Sequence, residues 1–78
     1  MKTKKNNVFG IRLRRFILAR GETQREVAKR AGITEAALSY FIRGMRLPTA
    51  VSLYRLSRAL DVSMNELWEG GSFGREEA

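Results

Sequence analysis

Residues 23–44 read Thr23-Gln24-Arg25-Glu26-Val27-Ala28-Lys29-Arg30-Ala31-Gly32-Ile33-Thr34-Glu35-Ala36-Ala37-Leu38-Ser39-Tyr40-Phe41-Ile42-Arg43-Gly44. Thr23 with Glu26 three residues on is a capping box, so a helix is expected over Gln24 to Arg30, with Val27, Ala28 and Ala31 inward. Gly32 supplies the left-handed stop. Thr34 caps a second helix ending at Gly44, with Ile33 and Leu38 placed as a hydrophobic staple. Two short helices hinged on Ala31-Gly32-Ile33 have the spacing that holds the second across the first, where it can enter a major groove.

Helical spacing continues on both sides. Before the pair, Phe9, Leu13, Phe16, Ile17 and Arg20 share one face of a helix expected from Val8 to Arg20, capped by Asn6 or Asn7 and stopped by Gly21. After it, Met45-Arg46-Leu47-Pro48 is a loop, and Thr49 caps a fourth helix through Leu60 with Leu53, Leu56 and Leu60 inward. Asp61 breaks that helix. Ser63 and Glu66 form another capping box, with Val62 and Leu67 as its staple, opening a fifth helix over Met64 to Glu69. No stretch alternates with period two for long, so the expected fold is all-α with five helices. The expected organisation is a basic arm over 1–7, one domain over 8–69 with its helix pair at about 24–43, and a polar, acidic tail over 70–78 beginning Gly70-Gly71-Ser72.

At 78 residues one domain is the ceiling. The chain has 15 Lys or Arg against 8 Asp or Glu, a net charge of +7. The excess is concentrated: residues 1–60 hold 14 of the basic and 3 of the acidic side chains, and the rest is net acidic. Such a patch on a small chain is the footprint of a polyanion binder. His and Cys are absent, which removes the imidazole base, the thiolate nucleophile, the disulfide and the soft zinc ligands. No base is placed to activate a hydroxyl, so the chain is read as a non-enzyme without cofactor or metal. No apolar run approaches a membrane span, and Met-Lys-Thr-Lys-Lys lacks a signal peptide's apolar region. A soluble, intracellular protein is expected.

The run Thr23 to Thr34, followed by Leu38-Ser39, Gly44, Pro48 and Leu60-Asp61-Val62-Ser63, closely resembles the phage repressor and Cro-like (Xre-type) helix-turn-helix family over roughly residues 8–69. The resemblance implies a five-helix, lambda-repressor-like domain that binds double-stranded operator DNA as a homodimer and regulates transcription, usually as a repressor. It implies base-facing positions at Thr34, Glu35, Ala36, Ser39 and Tyr40. Gln24, Lys29, Arg43 and Arg46 match or adjoin backbone-contacting positions, and Val62, Met64, Leu67 and Trp68 match a dimer surface. At Thr34 capping is the alternative role, and at Trp68 closing the core. Tyr40 reaches a base edge or phosphate, or packs over the fourth helix. Arg12, Arg14, Arg15 and Arg20 are read as a solvated face.

Three departures from the family pattern stand out. Ile17 and Ile42 occupy positions where the family usually pairs a buried Arg with a Glu, and replacing both by apolar groups is often neutral or stabilising; the two are expected to meet in the core. Glu35 and Ala36 stand where relatives present longer donors. Glu35 can accept from cytosine N4 and Ala36 can touch a thymine methyl, which leaves specificity leaning on Ser39, Tyr40 and DNA shape. Ile11 and Leu18 make an outward apolar pair on the first helix, which suggests a protein partner or contact with Phe73 of the tail. The competing functional reading is therefore a protein-interaction module, such as an antitoxin or anti-regulator, using Ile11, Leu18 and the acidic end of the chain.

Overall fold

A computed structural model describes residues 7–68. Five α-helices follow one another: α1 Val8–Ala19, α2 Gln24–Ala31, α3 Glu35–Ile42, α4 Ala50–Leu60 and α5 Met64–Trp68. The 1–6 part of the arm with Asn6, and the tail with Phe73, lie outside the described residues.

Local chemistry sets most boundaries. The Thr23 hydroxyl accepts from the Glu26 N–H at 3.1 Å while the Glu26 carboxylate accepts from the Thr23 N–H at 2.9 Å, closing the box that starts α2. The same reciprocal pair joins Ser63 and Glu66 at 2.9 and 3.0 Å at the start of α5. Thr34 and Thr49 accept from the N–H groups of Ala37 and Ser52. At the other ends, Gly21, Gly32 and Gly44 have φ of 69°, 75° and 76°. Asp61 takes the same left-handed conformation at φ 58°, which Asp tolerates better than most side chains.

The core draws on every helix. Leu13, Val27, Leu38, Leu56 and Leu67 have no exposed surface, with Leu60, Phe9, Ile17, Phe41 and Ile42 buried around them. Ile17 and Ile42 thus share one apolar cluster. α1 packs on α3 and α5, α2 on α3 and α4, and α4 on α5.

Some boundaries and side chains depart from the sequence-based expectation. α1 stops at Ala19, with Arg20 as its C-cap, and Arg20 is exposed rather than inward. α3 stops at Ile42, two residues before Gly44. α2 extends one residue further, to Ala31. Asn7 holds the N-cap position of α1 but makes no capping bond there. Its amide instead donates to the Ile42 carbonyl at 3.0 Å, satisfying an acceptor left open at the end of α3.

That exchange is one instance of a wider arrangement in which side chains of α1, its flanks and α2 serve the C-termini of other helices. Arg20 donates to the Leu60 carbonyl at 3.2 Å, and Arg30 donates twice to the Ala59 carbonyl at 3.0 and 2.8 Å, so two cations sit on the negative end of α4. Glu22 bridges them, 2.9 Å from Arg20 and 2.7 Å from Arg30. Hydrogen bonds from Arg30 and Arg20 hold the Glu22 carboxyl at about 2, below its ordinary 4.5, and the Glu22 partner raises Arg30. Arg12 donates to the Glu66 carbonyl of α5 at 2.6 Å. Of the arginines read as a solvated face, Arg12 and Arg20 are therefore structural bridges, while Arg14 and Arg15 are exposed.

Candidate nucleic-acid interface

α3 is amphipathic in cross-section. Leu38, Phe41 and Ile42 face the core, and the 100° step per residue puts Ala36, Ser39, Tyr40 and Arg43 on the opposite side. Glu35 and Ala36 are exposed, and Ser39 and Tyr40 are half-buried. Thr34 is exposed, but its oxygen is engaged by the Ala37 N–H, leaving the hydroxyl proton as its available donor. Glu35 lies in the first turn of α3, where a carboxylate is favoured by the helix dipole.

The C-terminal end of α3 carries the cations. The left-handed Gly44 and a 2.9 Å bond from the Met45 N–H to the Tyr40 carbonyl turn the chain back on the helix. Arg46 is thereby returned to the outward face, beside Arg43. Both guanidinium groups lie over the Tyr40 ring, at 5.6 Å for Arg43 and 5.1 Å for Arg46. Gln24, half-buried, opens α2, and Lys29 is exposed further along it. Three acidic side chains of the described residues are engaged elsewhere: Glu22 with two arginines, Glu26 and Glu66 in their capping boxes. Glu35 is the carboxylate of α3 itself.

A second surface lies near α5. An open apolar groove of about 500 Å³ runs between Leu47, Pro48, Ala50 and Leu53 on one side and Met64 and Trp68 on the other. The Trp68 ring packs on Phe9 at 5.1 Å, so it both closes the core and lines the groove. Of the four residues named for a dimer surface, Met64 and Trp68 line the groove and Val62 is half-buried against the core. Leu67 points inward and is wholly buried, so it holds α5 down and offers no contact surface. Sequence reasoning missed Leu47, Ala50 and Leu53 as groove residues. The signal present was Leu47, an exposed apolar residue ahead of Pro48 and outside any helical stripe.

Ile11 and Leu18 are 52% and 59% exposed, on the side of α1 opposite Leu13 and Ile17. Among the described residues no helix is long and apolar enough to cross a membrane, and no group of acidic, His or Cys side chains is placed to hold a metal.

A family model described as helix-turn-helix matches residues 13–67. An uncharacterized HTH-type transcriptional regulator, y4dJ of Sinorhizobium fredii, is 48% identical over 56 residues, covering 72% of this chain and 69% of the relative. The restriction-modification controller protein C.AhdI from Aeromonas hydrophila superposes with a TM-score of 0.77 at 33% identity, over 81% of this chain and 97% of its own. The master regulator for biofilm formation SinR, solved in complex with DNA, gives 0.75 at 29% identity, over 78% and 98%.

Proposed function

The chain belongs to this helix-turn-helix family, and on that premise we propose that it is a DNA-binding transcriptional regulator that lays α3 in a major groove. The observation that carries the reading is the outward face of α3, on which small side chains, Ala36 and Ser39, precede a cluster of two exposed arginines. Small residues let a helix approach the groove floor, and cations at its end meet the phosphate backbone. Glu35, Ala36 and Ser39 then lie at base edges, with the Thr34 hydroxyl as a donor. Gln24, Lys29, Arg43 and Arg46 contact phosphates, which set register without reading sequence. SinR in complex with DNA supports the same use of the fold.

The protein acts as a homodimer, most simply as a repressor, on a pseudo-palindromic site with half-sites about 34 Å apart. The groove between Leu47, Leu53, Met64 and Trp68 is the surface for the second copy, because an apolar patch of this kind on a small protein marks an interface.

Selection from a random duplex pool at two salt concentrations tests the reading. The expected result is an inverted repeat whose affinity falls steeply with salt. An Arg43→Ala, Arg46→Ala double variant should lower the log–log salt slope by about 1.8, at about 0.9 per phosphate. Recovery of no motif, with binding indifferent to both arginines, would refute it.

A second reading rests on Ile11 and Leu18, whose exposure on α1 suits an apolar protein partner. Under it, binding would be insensitive to salt and lost on Ile11→Lys with Leu18→Lys.

A further inference from the structure

The geometry points to Tyr40 as a positioning residue: its ring holds Arg43 and Arg46 in place for the phosphate backbone, and its hydroxyl does not read a base. The assignment rests on the DNA-binding reading above and deepens it. Arg43, the C-cap of α3, follows Tyr40 by three residues and so shares its face. Arg46 reaches the same ring from beyond the helix, because the chain reverses at Gly44 and is tied to the Tyr40 carbonyl by the Met45 N–H. One side chain therefore gathers two cations that the sequence places on either side of a turn.

Nothing else in the described residues orders those cations. The ion pairs belong to Glu22, and no hydrogen bond from either guanidinium accompanies the ring contacts at 5.6 and 5.1 Å. An exposed arginine without such a platform samples many rotamers and must lose that freedom on meeting a phosphate. A guanidinium lying on an aromatic face is already restricted, yet its in-plane N–H donors still point outward, where a phosphate oxygen can accept them. Tyr54 also carries an arginine over its ring, Arg58 at 5.8 Å. That guanidinium donates to the Tyr54 hydroxyl as well, at 3.0 Å, whereas Arg43 and Arg46 meet Tyr40 through the ring alone.

The two roles respond differently to substitution. A base-reading tyrosine needs its hydroxyl, and losing it changes sequence preference at one base pair. A platform needs only the ring, and losing it weakens every duplex alike. Affinities of the unsubstituted protein, Tyr40→Phe and Tyr40→Leu should be measured on the selected site, on single-base variants of it and on a scrambled duplex. Tyr40→Phe is expected to stay within about twofold on all of them, with base preferences unchanged. Tyr40→Leu is expected to weaken selected and scrambled duplexes together by roughly 5- to 30-fold, the worth of two exposed cation–π contacts. In the Arg43→Ala, Arg46→Ala background, Tyr40→Leu should add nothing beyond twofold.

A Tyr40→Phe variant that loses affinity or changes preference at one base pair would overturn the assignment in favour of direct reading, and this arm holds even if Tyr40→Leu fails to fold. A folded Tyr40→Leu variant that binds as the unsubstituted protein does would also overturn it. Absence of any duplex binding by the unsubstituted protein would remove the DNA-binding reading first, a result visible before any variant is made.

Discussion

Gly10 offers a test in which sequence and structure forecast opposite signs. It sits inside α1, where replacing Gly by Ala is ordinarily stabilising by about 0.8–1 kcal/mol. In the folded protein, however, Gly10 is buried against the end of α3. A Cβ placed there would fall within steric overlap of the Ile42 carbonyl oxygen and 2.6 Å from that of Phe41, both backbone atoms that cannot rotate away. It would also meet the Asn7 amide, which donates to the Ile42 carbonyl at 3.0 Å. Overpacking of this kind costs about 1–3 kcal/mol, and loss of the Asn7 bond about 0.5–1.5 kcal/mol. After the helix-propensity gain, Gly10→Ala should destabilise by about 0.5–3.5 kcal/mol. At roughly 4–8 °C per kcal/mol for a domain of this size, a mid-range loss lowers the melting temperature by about 8–16 °C. Thermal unfolding followed by circular dichroism reads this directly. An unchanged or raised melting temperature would show that α1 and α3 do not approach as closely as the fold requires.

Other substitutions probe separate parts of the molecule. Glu22→Gln should lower stability at pH 7, and the difference from the unsubstituted protein should shrink as pH falls from 4.5 toward about 2, because a carboxyl depressed in the folded state stabilises only while ionised. Melting curves across that range check it, and a difference constant with pH would refute it. Leu67→Ala, at a wholly buried position, should cost about 2–5 kcal/mol in denaturant unfolding. Leu47→Asp, at an exposed position on the groove rim, should leave the melting temperature of the protomer unchanged and shift sedimentation toward monomer. A self-association constant unaffected by Leu47→Asp would place any dimer contact elsewhere.

The helices themselves were legible in the sequence because their signals are local. Thr23 with Glu26, Ser63 with Glu66, Thr34 and Thr49 announce helix starts within four residues of themselves, and Gly21, Gly32 and Gly44 announce stops by the backbone conformation they permit. The inward faces of α2 and α4 follow from helical period for the same reason. Asn7 and Arg20 were misjudged because their partners are distant: Ile42 is 35 residues from Asn7, and Leu60 is 40 from Arg20. A polar side chain near a helix end has a local cap and any number of remote carbonyls as alternatives, and local spacing cannot choose among them.

The candidate site divides along the same line. The outward face of α3, with Ala36, Ser39, Tyr40 and Arg43, follows from the period of one helix, and resemblance to the helix-turn-helix family marks the same positions. The meeting of Arg43 and Arg46 on the Tyr40 ring needed the reversal at Gly44, and the groove joining Leu47 and Leu53 to Met64 and Trp68 needed α4 and α5 in their packed places. Sequence by itself determined what each short segment does, since helix caps and periods act over a few residues. Tertiary structure alone decided which segments touch, because hydrogen bonds to free helix ends and apolar contacts are satisfied wherever packing brings partners within reach.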